Sequence, residues 1–209
     1  MIEITNILDS EKYVKSFRAI IFDLDDTLYS ETDYVRSGYR QIAKVCPEIP
    51  DMYAKLWSAF GHEKNPIDAI LKSEHLYSEE KLRECLSAYR EQAPDIHLYD
   101  GVADMLLRLR SKGHRLGIIT DGRPEGQHAK IEALGLKEYF DKIIITDELG
   151  GIGFRKPNPR AFEEMRQALH IEYSEMVYIG DNIHKDFIAP KKLGMEAILF
   201  NNKNGLYKR

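Results

Sequence analysis

Three aspartates fall within four positions, Asp23, Asp25 and Asp26, directly after the apolar run Ala19-Ile20-Ile21-Phe22. Two carboxylates about 4 Å apart repel by roughly 4 kcal/mol at an effective dielectric near 20, so each raises the cost of ionising the next. A chain keeps such a cluster at the mouth of a buried strand when the charges face solvent or when a cation sits among them. A second acidic group, Asp181 with Asp186 five residues on, follows the run Met176-Val177-Tyr178-Ile179-Gly180, and Thr120-Asp121-Gly122 closes a third apolar run. Lys156, in the loop GGIGFRKPNP, adds a cation to the set. Hard oxygen donors with no Cys or His at ligand spacing favour Mg²⁺ over zinc, and Mg²⁺ commonly uses one or two carboxylates, waters and a substrate phosphate.

The elements that must gather these residues are visible in the pattern. RAIIFDL (18–24), HRLGIIT (114–120), KIIIT (142–146), MVYIG (176–180) and EAILF (196–200) are short, nearly continuous apolar runs, as expected of parallel strands covered on both faces. Between them VADMLLRLRSKG, PEGQHAKIEALG, PNPRAFEEMRQALH and DFIAPKKLG carry helical periodicity and end signals. Strand and helix alternate from 98 to 200, which predicts an open α/β sheet of three layers with right-handed crossovers. Ligands of such sheets bind beyond the carboxyl ends of the strands, where the residues above all fall. Residues 31–97 break the alternation with four amphipathic helical patterns. The expected organisation is therefore a core of 1–28 and 98–209 with a helical subdomain, 29–97, inserted between the first two long strands.

Composition narrows the class. With 209 residues, 43% hydrophobic and 31% charged, the chain can bury a large core, and a net charge of -4 without a basic stripe argues against nucleic acid as a partner. Cys46 and Cys85 lie far apart with no metal-ligand pattern and read as reduced thiols. The first residues lack an apolar core of signal-peptide length and no later run is long enough to span a bilayer, so a cytoplasmic protein without membrane association is expected.

In order and placement the motifs resemble those of the haloacid dehalogenase (HAD) superfamily: DLDDT (23–27), Thr120, Lys156 in RKPNP, and GDNIHKD (180–186). The resemblance implies a Rossmann-like HAD fold with a helical cap and a Mg²⁺-dependent phosphatase acting on a small phosphorylated metabolite. Asp23 is then the nucleophile and Asp25 the general acid and base. Thr120, with Asp121 and Gly122, and Lys156 hold the phosphoryl oxygens. The metal falls to Asp23, Asp25 through its carbonyl, Asp181, and Asp186 as ligand or supporting partner. Asp25 favours a phosphatase over a dehalogenase, which has no alkoxide to protonate. TDGRPEGQHAKIEALGLKEYFDKII and FNNKNG are similar to HAD phosphatases of nucleoside monophosphates and N-acylneuraminate 9-phosphate, which implies a sugar phosphate or nucleotide substrate; whether the chain is a monomer or homodimer is not readable from the sequence. A sugar phosphomutase or a non-catalytic binding module on the same scaffold are the alternatives.

Plainer roles are expected for several neighbours. Asp26 and Thr27 suit a turn or cap. Asp121 suits a hydrogen-bonding role, and Asp186 alternatively a helix N-terminal charge. His184 and Lys185 read as exposed polar side chains. Gly150, Gly151 and Gly153 lack the GK[ST] ending of a phosphate loop and instead let the chain deliver Lys156. Tyr34, Arg36 and Arg40, opening the insert, are candidates for reading the leaving group.

Overall fold

Six strands, β1 (Ile2–Ile4), β2 (Ala19–Phe22), β3 (Arg115–Thr120), β4 (Lys142–Ile145), β5 (Met176–Gly180) and β6 (Glu196–Phe200), form one sheet in the order β1-β6-β5-β2-β3-β4. Every pairing is parallel. The computed structural model describes residues 1–206. Its helices are α1 (Glu31–Val45), α2 (Met52–Ala59), α3 (Pro66–Ser73), α4 (Glu79–Arg90), α5 (Val102–Ser111), α6 (Pro124–Ala133), α7 (Arg160–Leu169) and α8 (Ile188–Leu193). From β2 the chain steps outward through β3 and β4, then returns to the other side of β2 for β5 and β6. The reversal falls between β2 and β5, so the ends of these two strands flank the crevice that such sheets offer to ligands.

Alternation along the strands sorts the core. Ala19, Ile21, Ile119, Ile144, Met176 and Tyr178 share one buried cluster with Ala161, Phe162 and Met165 of α7 and Ala189 of α8. Ile20, Phe22, Ile118, Val177 and Ile179 are buried on the opposite face, where Phe22 meets Phe140 edge-on. Residues covered on both faces are why these runs read as continuously apolar.

Three boundaries differ from the sequence reading. Strand β1, on the edge beside β6, was not foreseen, since three residues carry too little pattern to register. Helix α7 starts at Arg160 rather than near Pro157, and α8 starts at Ile188, two residues past Asp186, which therefore does not open it.

By contact the chain divides into two units, Met1–Glu31 with the chain from Ile96 on, and Thr32–Asp95. The second is all helical, its α1 to α4 enclosing Val35, Tyr39, Ile42, Leu56 and Leu71. Gly38 lets α1 and α4 close, because a Cβ there would lie 2.3 Å from the Tyr89 ring. Ser78 caps α4 by accepting from the Lys81 amide at 3.0 Å. Cys46 and Cys85 are free thiols in this core, their sulfurs 3.3 Å apart. Among the described residues no helix is long and apolar enough to cross a membrane.

Candidate active site

Asp23 stands one residue past β2, and its amide still donates to Ile179 of β5 at 2.8 Å, so the ladder fixes its side chain on the face of Ile21 and Tyr178. There it meets Lys156, whose ammonium is 2.7 Å from Asp23 Oδ1, 2.9 Å from Asp186 Oδ1 and 2.8 Å from the Tyr178 hydroxyl. The lysine side chain has no exposure at all. Burial works against its charge, yet Asp186 and Asp23 hold its pKa well above the ordinary lysine value. Asp186 is equally buried, and its second oxygen accepts from the Asn182 amide at 2.9 Å. The turn requires glycine at 180: a Cβ there would sit 2.5 Å from Asp186 Oδ2.

Asp181 completes an acidic group. Asp23, Asp181 and Asp186 each present an oxygen, all within 4.8 Å of one another. Burial, joined by the charges of Asp23 and Asp186, pushes Asp181 up to about 8; burial likewise takes Asp23 up to about 6, against the pull of Lys156. Were all three ionised, these carboxylates beside the Lys156 ammonium would leave a deficit of two positive charges, which is why burial and mutual repulsion raise Asp181 and Asp23. An all-oxygen donor set with that deficit fits a hard divalent cation.

The remaining expected residues surround this group. Asp121 accepts from the Lys156 amide (2.9 Å), the Thr146 hydroxyl (3.0 Å) and the Lys185 ammonium (3.1 Å), so it ties three segments together. Burial opposes its charge, but Lys156 and Lys185 keep its pKa below the usual carboxylate value. Lys185 is thus no exposed bystander, although His184 is exposed. The Thr120 hydroxyl is buried and accepts from Gln127, which leaves its hydrogen for an oxygen at the sheet edge. Gly122, at φ 144, turns the chain toward α6.

Asp25 faces a different set of donors. Lys130 of α6 reaches its Oδ1 at 2.7 Å, the Tyr29 hydroxyl bonds the same oxygen, and Gln127 donates to Oδ2 at 3.0 Å. Burial would raise the Asp25 pKa, but Lys130, helped by Tyr29 and Gln127, holds it below the usual value. Asp26 keeps the structural role expected of it. At φ 53, its carboxylate accepts from the amides of Glu31 (2.9 Å) and Leu206 (2.6 Å). Tyr34, Arg36 and Arg40 have partners inside the helical unit. Tyr34 packs on Tyr89, Arg36 lies 4.5 Å over Trp57, and Arg40 reaches Asp95 at 3.4 Å.

Tyr178, Gln127 and Lys130 are the site members that sequence reasoning missed. Tyr178 was hidden in an apolar strand, although its alternation with Met176 and Ala19 puts it on the face of Asp23. Gln127 and Lys130 are buried positions of α6, and the absence of a clean apolar stripe there was the available signal.

Comparison with known proteins shows the family. The glyceraldehyde 3-phosphate phosphatase of Pyrococcus abyssi is 29% identical over 198 residues, covering 88% of this chain and 81% of that protein. The human N-acylneuraminate-9-phosphatase is 27% identical over 217 residues, 90% of this chain and 84% of its own. Among solved structures, the HAD-hydrolase YfnB of Bacillus subtilis bound to magnesium superposes with a TM-score of 0.67 at 23% identity, covering 88% of this chain and 87% of that one. The family model for haloacid dehalogenase-like hydrolases matches residues 20–200, and the chain belongs to that family.

Proposed function

We propose that this protein is a Mg²⁺-dependent phosphatase that hydrolyses a small phosphate monoester, sugar phosphates foremost, by way of a phosphorylated Asp23. The observation that carries the reading is the buried Lys156 ammonium, held between Asp23 and Asp186 within an acidic group that still lacks two positive charges. The relatives named for phosphatases of glyceraldehyde 3-phosphate and N-acylneuraminate 9-phosphate support the substrate class.

In this reading Asp23 attacks phosphorus, forming an acyl phosphate as the ester P–O bond breaks. Asp25 gives its proton to the departing oxygen. Asp25 then takes a proton from water, which attacks the phosphorus; the bond to Asp23 breaks and inorganic phosphate leaves. Lys156 and the Thr120 hydroxyl stabilise the charge on the non-bridging oxygens, and Asp121 keeps Lys156 in place through its amide. Mg²⁺, when bound by Asp23, Asp181 and Asp186 with the Asp25 carbonyl, supplies Lewis-acid polarisation and charge neutralisation. The helical unit, inserted in the chain between β2 and β3, is proposed as the family's cap, excluding water from the first step and admitting it for the second.

The test is a panel of phosphate monoesters assayed with Mg²⁺ and with chelator, alongside Asp23→Asn. Phosphate release should require Mg²⁺ and Asp23 and proceed stoichiometrically without a bisphosphate activator. Turnover surviving Asp23→Asn would end the proposal, and a need for bisphosphate would indicate a mutase.

A further inference from the structure

We propose that Lys130 and Gln127 of α6, together with Tyr29, are positioning residues that clamp Asp25 so that its Oδ2 is the oxygen that exchanges protons with the leaving group and with water. The inference rests on the function proposed above and adds three residues to it. An ionised carboxylate offers about four lone-pair sites, two on each oxygen. Asp25 Oδ1 has both filled, by the Lys130 ammonium at 2.7 Å and by the Tyr29 hydroxyl. Among the described residues Oδ2 accepts only from Gln127, at 3.0 Å, and so retains one site that a proton can occupy.

The clamp also aims that oxygen. The Gln127 amide nitrogen that holds Oδ2 also donates to the Thr120 hydroxyl, the group assigned to the phosphoryl oxygens, so the free site of Oδ2 and the phosphate pocket are fixed by one side chain. Gln127 and Lys130 stand three residues apart, which places both on one face of α6. Their burial gives the arrangement its stiffness: the Lys130 side chain is 6% exposed and that of Asp25 is 15% exposed. An ammonium is costly to bury without a carboxylate partner, so the pair holds its geometry rather than exchanging with solvent. Tyr29 is fixed in turn, wholly buried, with backbone bridges to Asp25 and Leu98. A carboxylate held by three bonds from three side chains needs no reorientation when the leaving group arrives.

A positioning role for the proton donor predicts selectivity by leaving group, which a general loss of folding does not produce. kcat/KM, which reports the steps up to departure of the alcohol, is measured for p-nitrophenyl phosphate, whose phenolate leaves without help, and for phenyl phosphate and an alkyl phosphate, which need the proton. Lys130→Met should lower kcat/KM for the alkyl phosphate by about 100-fold, the scale of general acid catalysis, and that for p-nitrophenyl phosphate much less; Gln127→Leu, which also releases Thr120, should lower both, the alkyl phosphate by the larger factor. Asp25→Asn should show the same selectivity, and adding Lys130→Met to it should cost nothing more, because the two act as one unit. Circular dichroism and thermal unfolding certify that each variant is folded. Equal losses on all three substrates, no loss on any, or additive losses with Asp25→Asn would overturn the clamp. Turnover surviving Asp23→Asn would instead strike the proposed function, so the two failures are told apart.

Discussion

Replacing Lys156 by Met removes the one ammonium that Asp23 and Asp186 share and leaves a side chain of similar length. Each of these ion pairs, taken as charges about 4 Å apart at an effective dielectric near 20, is worth roughly 4 kcal/mol of attraction. The variant also escapes the several kcal/mol that burying the ammonium costs the native protein, so the net loss at neutral pH is about 3–5 kcal/mol, the usual scale for breaking one side of a buried pair. In a domain of this size that corresponds to a melting temperature lower by about 6–20 °C.

The pH dependence identifies the cause. Asp23 is already raised, to about 6, with Lys156 beside it, and loses a stabilising neighbour in the variant, so its pKa climbs further. A carboxylate whose folded pKa exceeds the unfolded one contributes stability that is present at low pH and lost as pH rises through the folded value. At pH 5 Asp23 is largely protonated in both proteins and the ammonium matters less; at pH 8 it is charged in the native protein and unmatched in the variant. Urea unfolding in the presence of chelator at these two pH values should therefore give a deficit that grows with pH. A deficit of equal size at pH 5 and pH 8, or one below about 1 kcal/mol at pH 8, would refute the claim that Lys156 is held by its charge rather than by packing.

Gly180→Ala should weaken Mg²⁺ binding by about 10- to 100-fold in calorimetric titration without altering any ligand, because the new Cβ would lie 2.5 Å from Asp186 Oδ2 and must displace it. In metal-free protein the protonated Asp181, with its pKa near 8, contributes stability that disappears as pH rises through that value. The rise in melting temperature on replacing chelator with Mg²⁺ should therefore be larger at pH 8.5 than at pH 6, and an equal rise at both would contradict the acidic cluster as the binding site. Cys46 and Cys85 are both fully buried, and burial with the neighbouring Cys46 pushes the Cys85 thiol up to about 12, so a thiol reagent at pH 8 should label either sulfur only after unfolding.

What the sequence made legible divides along a physical line. Asp23, Thr120 and Asp181 could be found because each ends or follows an apolar run whose length and bulk mark a buried parallel strand, and parallel strands deliver their carboxyl ends to one edge, whereas Lys156, in a loop, was reached through the family resemblance of RKPNP. Residues whose partners come from distant segments were less readable. Asp186 was open to a helix-terminal reading from its local surroundings, yet its partners are Lys156 and the Asn182 amide, and α8 starts two residues later. Lys185 was read as an exposed side chain in a polar loop, while its ammonium is 3.1 Å from Asp121, 64 positions earlier. Gln127 and Lys130 belong to a helix that by composition alone looks solvated, since burying a lysine makes sense only once Asp25 is known to lie opposite. Local pattern reports which backbone is buried; it does not report which charges meet there.

Asp23 and Asp25, two residues apart, have been given opposite electrostatic surroundings by two different lysines. Asp23 shares Lys156 with Asp186 and lies raised; Asp25 has Lys130 with Tyr29 and Gln127 and lies depressed. For the chemistry proposed, a nucleophile should be charged and a general acid should carry a proton, so the resting order is the reverse of the working one. Both differences are corrected by the charges of the ligands themselves. Asp23 beside a divalent cation keeps its charge to lower pH, and Asp25 beside a phosphate dianion keeps a proton to higher pH. With its carboxylates ionised the group around Asp23 lacks two positive charges, one oxygen of Asp25 is saturated, and in the reaction proposed the two carboxylates would take their distinct roles when metal and phosphate are both bound. Sites that separate two neighbouring carboxylates by environment commonly assign them different tasks. In the reaction proposed, the separation is completed by what binds, the cation favouring the charged form of Asp23 and the phosphate the protonated form of Asp25.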